Sequence, residues 1–214
     1  MSTRHHLVGS MRHWEAVRAF QIKFLLEYGL KPGERFLDVG CGTLRGGIPI
    51  IAYLEAGNYY GLEARAVVLD EARKELVEAG LEHKKPYLAL CGPMLEDVQF
   101  PFLFDMIWCW EVFQHLADSA LDPIIGVLAR HLKPECGRLI ADAPIGPTLR
   151  LGTWLGFPNW QRPLDVYKDI GAKHNLSFTE LGVTRDFGHT VTRGRLDRIF
   201  EMRKANGDEA TTKS

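Results

Sequence analysis

The strongest constraint on this chain is the alternation of short apolar runs with stretches whose apolar residues recur every three or four positions. The runs are Arg35–Val39, Asn58–Glu63, Tyr87–Cys91, Phe104–Trp110 and Gly137–Ala143. Helical spacing marks Met11–Tyr28, Gly46–Ala56, Ala66–Ala79, Asp118–His131 and Leu164–His174. In the first helix, Trp14, Val17, Phe20, Phe24, Leu25 and Tyr28 share one face, Gly29 stands at the C-terminal cap and Pro32 follows. Pro49 fits the second helix only within its first turn, where a missing N–H breaks no bond. Strands that alternate with helices need crossover connections, which predicts an α/β fold: a parallel sheet covered by helices on both faces. The last two runs, near Thr179–Arg185 and Asp197–Arg203, have no helix between them. They are predicted to pair antiparallel, which reverses one strand of the sheet.

A length of 214 residues suits a single such domain. The expected organisation is an N-terminal helical segment over residues 1–30, either a lid or a helix that simply covers the sheet, a main domain over 31–204, and a polar, frayed tail over 205–214. With 46% hydrophobic and 25% charged residues there is ample material for a core, and a net charge of −1 offers no global field for nucleic acid or an anionic membrane. Cys41, Cys91, Cys109 and Cys136 are scattered through core-like segments, which favours free thiols. No signal-like segment opens the chain and no apolar run approaches about 18 residues, so a cytoplasmic protein is expected. No P-loop, no nucleophile elbow and no metal-ligand spacing is visible, so no metal is expected.

The chemistry concentrates in Phe36–Gly47, FLDVGCGTLRGG. An apolar strand carries Asp38 near its end, turns tightly through Gly40, Cys41 and Gly42, and enters a helix at Gly46–Gly47. Glycines let the backbone turn and let a ligand approach main-chain atoms. A dinucleotide site uses Gly-x-Gly-x-x-Gly with the helix N-terminus on a pyrophosphate. Here the spacing from Gly42 to Gly46 is one residue longer, and an acid stands two residues before the first glycine. That arrangement suits a ligand with an α-amino and a carboxylate group in place of a phosphate, with Asp38 drawing the ammonium. Glu63 ends the second run, where a carboxylate can accept hydrogen bonds from both ribose hydroxyls.

This pattern of an acid, any residue, Gly, any residue, Gly resembles motif I of the class I S-adenosylmethionine-dependent methyltransferases. The resemblance implies a Rossmann-like methyltransferase sandwich, with a seven-stranded, mostly parallel sheet of order 3-2-1-4-5-7-6 and strand 7 antiparallel. It implies S-adenosylmethionine as cofactor, bound by Asp38, the Gly40–Cys41–Gly42 turn and Glu63, with Ala64 against the adenine. After the third strand, where many members carry an aspartate, this chain has Cys91-Gly92-Pro93-Met94-Leu95-Glu96. Met94 and Leu95 are expected to give adenine apolar contacts and a backbone N–H, and Glu96 and Asp97 are the candidates to replace the missing acid.

Phe104–Leu116 resembles the family's fourth strand and following turn, which places Trp110 and Glu111 toward the transferred methyl group. Gln114 and His115 lie on the turn behind it. His115 reads in two ways, as a general base or as a histidine that hydrogen-bonds the turn and packs on the next helix. Pro144–Pro163 is rich in Gly, Pro and Trp and reads as irregular chain, with Trp154, Phe157 and Trp160 offering an aromatic wall for the acceptor. Asp186, His189 and Arg193 form a polar cluster between the last two strands, with His189 placed to reach the acceptor. The implied activity is methyl transfer to a small molecule. The alternatives are an NAD(P)-linked oxidoreductase and a methyltransferase-like binding protein that catalyses no transfer.

Overall fold

The computed structural model describes residues 3–9, 11–190 and 197–205, the side chains of residues 3–5 and 11 excepted. In chain order the strands are β1 (Phe36–Val39), β2 (Tyr59–Glu63), β3 (Tyr87–Leu90), β4 (Met106–Cys109), β5 (Arg138–Pro144), β6 (Leu149–Trp154), β7 (Phe157–Gln161), β8 (Leu176–Val183) and β9 (Asp197–Lys204). The α-helices are α1 (Trp14–Glu27), α2 (Gly47–Tyr53), α3 (Ala66–Glu78), α4 (Asp118–Arg130) and α5 (Leu164–Lys173). Seven strands form one sheet in the order β3-β2-β1-β4-β5-β9-β8. Its first five strands are parallel, and β9 runs antiparallel to both β5 and β8. This is the expected order, with the reversed strand entering through the final hairpin.

Side-chain alternation along β4 shows how the sheet divides the core. Met106 and Trp108, with Trp110 just beyond, join the layer that holds α1 and α2, whereas Ile107 and Cys109 join the layer that holds α4. In the first layer Phe24 stacks on Trp108 with centroids 5.6 Å apart, and Phe20 meets Trp110 at 5.0 Å. Thus α1 is packed on the same sheet that carries the cofactor loop. On the other face Leu121, Ile124, Ile125 and Leu128 of α4 are buried beside Tyr167 of α5. Pro49 is the third residue of α2, in its first turn. Among the described residues no helix is long and apolar enough to cross a membrane, and the four cysteines are free.

One expectation is corrected. Pro144–Pro163 is not irregular: it folds into a two-stranded hairpin, β6–β7, separate from the main sheet. Its glycines shape the hairpin. Leu155 and Gly156 form the turn with φ of 47° and 87°, and Gly152 lies at a register shift with φ of 141°. Cross-strand pairs Trp154↔Phe157 and Arg150↔Trp160 supply the side-chain contacts that a short isolated hairpin needs.

Candidate active site

A cavity of about 510 Å³ opens beyond the carboxyl ends of β1, β2 and β4, where a doubly wound sheet changes direction. Asp38, Gly40, Cys41, Gly42, Glu63, Ala64, Leu95, Trp110, Glu111, His115, Trp154 and Phe157 all line it. The sheet register accounts for the first group. Asp38 lies between Gly61 and Trp108 on its neighbouring strands, and its buried carboxylate accepts a 2.6 Å hydrogen bond from the Tyr59 hydroxyl. Burial pushes the Asp38 carboxyl up to about 7, and the Tyr59 hydrogen bond opposes that rise.

The turn after β1 needs its glycines. Gly40 and Gly42 have φ of 73° and 59°, and a Cβ at either would stand 2.8 Å from a valine side chain, Val112 and Val8 respectively. The Gly42 N–H donates to Glu63 Oε2 at 3.1 Å, which ties this turn to the end of β2. The other oxygen of Glu63 accepts from the backbone N–H and the Nε of Arg65, at 3.0 and 3.1 Å.

After β3 the structure departs from expectation. Met94 does not line the cavity; Cys91, Gly92, Pro93 and Leu95 do. Neither expected N–H is spare, because Met94 donates to Glu96 Oε2 at 2.9 Å and Leu95 donates to the Gly92 carbonyl at 3.1 Å. Asp97 accepts from the Gly92 N–H. The two acids brace their own loop, so this segment offers the cavity chiefly apolar and sulfur atoms. Burial pushes the Cys91 thiol up to about 12, which keeps it protonated.

At the end of β4, Glu111 adopts a left-handed backbone with φ of 55°, a conformation that costs a residue with a Cβ about 1–2 kcal/mol. Its N–H donates to the buried Asp142 at 2.5 Å and its carboxylate pairs with Arg45 at 3.0 Å. Burial, with Glu111 and Asp197 nearby, holds the Asp142 carboxyl far above its usual range. Arg45 also donates to the Val8 carbonyl and Arg65 to the Leu7 carbonyl, each at 3.0 Å, so two arginines hold the N-terminal segment against the cavity.

His115 sits on the 3-10 turn Phe113–His115. Its Nδ1 lies 2.9 Å from the Pro158 carbonyl on β7, its Nε2 lies 3.3 Å from the Gln114 amide nitrogen, and its ring stacks on Trp154 at 5.4 Å. Two expected acceptor residues lie elsewhere. Trp160 packs under the Arg162 guanidinium at 5.5 Å and is not on the cavity wall. His189 is buried behind the wall, its ring 4.7 Å from Phe20 and 5.4 Å from Trp110, with neither nitrogen hydrogen-bonded among the described residues; burial lowers its pKa. Asp186 is exposed on the turn after β8, and Arg193 lies outside the described residues. Sequence reasoning missed Tyr59, which bonds Asp38, and Gln21, Arg45, Arg65 and Asn159, which line the cavity. The arginines carried a signal, since one interrupts the glycine run after Gly42 and the other stands two residues past Glu63. Among the described residues, no group of three or more His, Cys, Asp or Glu is placed to hold a metal ion.

This geometry agrees with the comparisons to known proteins. A family described as a methyltransferase domain matches residues 37–138. The ubiquinone biosynthesis O-methyltransferase of Methylococcus capsulatus (strain Bath) is 26% identical over 193 residues, covering 89% of this chain and 70% of that protein. Over residues 37–138 the chain is thus similar to a methyltransferase domain, which supports a class I S-adenosylmethionine-dependent methyltransferase. The fold agrees at lower identity. Magnesium protoporphyrin IX methyltransferase from Synechocystis PCC 6803, solved with bound S-adenosylmethionine, gives a TM-score of 0.64 at 20% identity, covering 91% of this chain and 79% of that one. A glycopeptide N-methyltransferase complexed with sinefungin gives 0.68 at 12% identity, covering 87% and 93%. Structural neighbours solved with bound S-adenosylmethionine are consistent with that cofactor for this chain, and the nicotinamide-linked alternative is not favoured. The chain's cavity suits that cofactor: two glycines whose Cβ atoms would have no room, with Asp38 at one side and Glu63 at the other.

Proposed function

We propose that this methyltransferase methylates a hydroxyl oxygen of a small molecule carrying a planar ring, and that His115 takes the hydroxyl proton. The observation that carries the reading is the His115–Pro158 contact. A carbonyl only accepts, so Nδ1 holds the hydrogen of the neutral ring and Nε2 is its basic nitrogen. The Gln114 amide donates to Nε2 over a long 3.3 Å, a contact that an incoming hydroxyl replaces. Trp154 and Phe157 stand on the same side of the cavity as this nitrogen and offer flat apolar surface for a ring.

On the cofactor side, Asp38 would hold the α-ammonium, the Gly40–Cys41–Gly42 turn the methionine portion, Glu63 the ribose hydroxyls, and Ala64 and Leu95 the adenine. Trp110 and Glu111 border the methyl group. When bound, S-adenosylmethionine would supply a methyl carbon activated by its sulfonium, with the neutral thioether as leaving group. The chain's own contribution is alignment and removal of one proton to His115 Nε2. An oxygen acceptor is also what the name of the O-methyltransferase relative states for that protein.

Turnover of a panel of phenols, read as S-adenosylhomocysteine release, tests this alongside calorimetric titration with S-adenosylhomocysteine. His115→Ala is expected to lower kcat by about 10²–10⁴-fold while leaving product affinity within about threefold. Wild-type turnover matched by His115→Ala removes the base assignment. Binding without turnover of any hydroxyl acceptor removes the oxygen reading and supports a catalytically silent protein.

A further inference from the structure

We infer that Arg65 is the positioning residue that makes the acceptor wall conditional on the cofactor site, so that filling the site beside Glu63 orders the hairpin that carries Trp154 and Phe157. This inference rests on the methyltransferase reading only for the identity of the ligand beside Glu63. Arg65 caps the start of α3. Its side chain folds back so that Nε joins the backbone N–H on Glu63 Oε1, which fixes the plane of the guanidinium. That plane lies 5.3 Å from the Trp154 ring and 5.7 Å from the Phe157 ring, within the range of cation–π attraction. Nη1 reaches the Leu7 carbonyl. One side chain therefore touches the ribose acid, the N-terminal segment and the hairpin.

The hairpin needs such a contact. It is no part of the seven-stranded sheet, and most of β6 is exposed. Its base is held by Arg162, which bonds to Asp118 and to the carbonyls of Phe113 and Leu116. Near its tip the contacts among the described residues include the His115–Pro158 bond, the packing of His115 on Trp154 and Phe157, and the Arg65 guanidinium over the same two rings. Fixing Glu63 with ribose hydroxyls fixes the fork that Arg65 makes to it, and through the fork the ring surface on the other side. A lysine keeps the charge but has neither the flat face nor the fork. Coupling of this kind is reciprocal: whatever orders the hairpin also strengthens cofactor binding.

Amide hydrogen exchange of the full chain, with and without saturating S-adenosylhomocysteine, reads the link directly. In the wild type, the ligand is expected to slow exchange at Gly40–Gly42, across 149–161 and at 7–9 by about tenfold or more. In Arg65→Ala and Arg65→Lys, slowing at Gly40–Gly42 reports an occupied site, while 149–161 is expected to exchange as in the ligand-free protein. A purely structural role would raise exchange in the hairpin equally with and without ligand. Hairpin protection that survives in both occupied variants overturns the inference, as does a wild-type hairpin indifferent to ligand when Gly40–Gly42 responds. No response anywhere in the wild type removes the cofactor reading together with it. Should Arg65→Ala fail to fold, Trp154→Leu cuts the same link from the hairpin side and is expected to abolish the ligand-dependent protection at 149–161 while leaving that at 7–9, which Arg65 and Arg45 hold directly.

Discussion

The two ends of the cavity are built by different means. At the cofactor end, Asp38, Gly40, Gly42 and Glu63 belong to two adjacent parallel strands and the turn between them and the next helix, and strand register sets their positions. At the acceptor end the wall comes from segments far apart in sequence. Contacts such as Arg45 to the Val8 carbonyl and Glu111, Arg65 to Leu7 and Trp154, and His115 to the Pro158 carbonyl join it. A site made of backbone tolerates little change where the chain turns. A site made by side chains on a hairpin is free to vary while the frame is kept, which is how one fold comes to serve many acceptors.

The comparison can be broken most severely at the first turn. Gly40→Val places a β-branched residue at φ of 73° with its Cβ 2.8 Å from Val112. Left-handed strain alone costs about 1–2 kcal/mol, and the clash adds to it. Calorimetric affinity for S-adenosylhomocysteine is expected to fall by more than about 100-fold. Next in size is Glu63→Gln, which weakens acceptor capacity for the Gly42 and Arg65 N–H groups. Its expected cost is about 1.5–3 kcal/mol, the scale of hydrogen bonds to a charged group. By contrast Trp154→Ala is expected to lower that affinity by about tenfold, the size of the coupling through Arg65, while lowering turnover chiefly through the acceptor's KM. A loss of cofactor affinity from Trp154→Ala that exceeds the loss from Glu63→Gln would mean that the cavity is a single unit without two ends.

The same contrast explains what was legible beforehand. The strand runs could be read from local period, the order of the sheet followed from the resemblance that the glycine turn carries, and Asp38 and Glu63 could be placed at the ends of their strands by the same runs. Tyr59 could not, because its bond to Asp38 exists only once β2 is in register with β1. The hairpin was hidden by its own glycines, which in sequence look the same whether they break a strand or turn one. Trp160 and His189 were indistinguishable from Trp154 and His115 by residue type. They differ only in which side of a wall they occupy, and that is decided by packing against Arg162 and Phe20.

A pH profile sharpens the cofactor end alone. Asp38 sits at about 7 in the folded chain against an ordinary 3.8, chiefly through burial. It holds its proton more tightly folded than unfolded. Its contribution to stability is therefore present below about pH 3.8 and is lost as pH rises toward 7. Ligand binding runs the other way, since an ammonium beside Asp38 favours the carboxylate. Affinity for S-adenosylhomocysteine is expected to be level above pH 7 and to fall by up to about tenfold per pH unit below it, with proton release on binding. A flat profile from pH 5.5 to 8 would remove Asp38 from the ammonium.

Tyr59→Phe gives the smallest effect and the sharpest reading of this carboxylate. The hydroxyl donates to Asp38 at 2.6 Å and is one of the influences that lower its pKa. Without it the carboxylate loses a partner in a buried place, and its pKa moves up from about 7. The midpoint of the binding profile is then expected to move to higher pH. At neutral pH the affinity falls by a few-fold, about 1 kcal/mol, and well above the new midpoint most of that loss is recovered. That recovery separates a positioning role from damage to the fold, which would lower affinity equally at every pH. A parallel downward shift of the whole profile would show that Tyr59 supports the sheet and leaves the charge of Asp38 untouched.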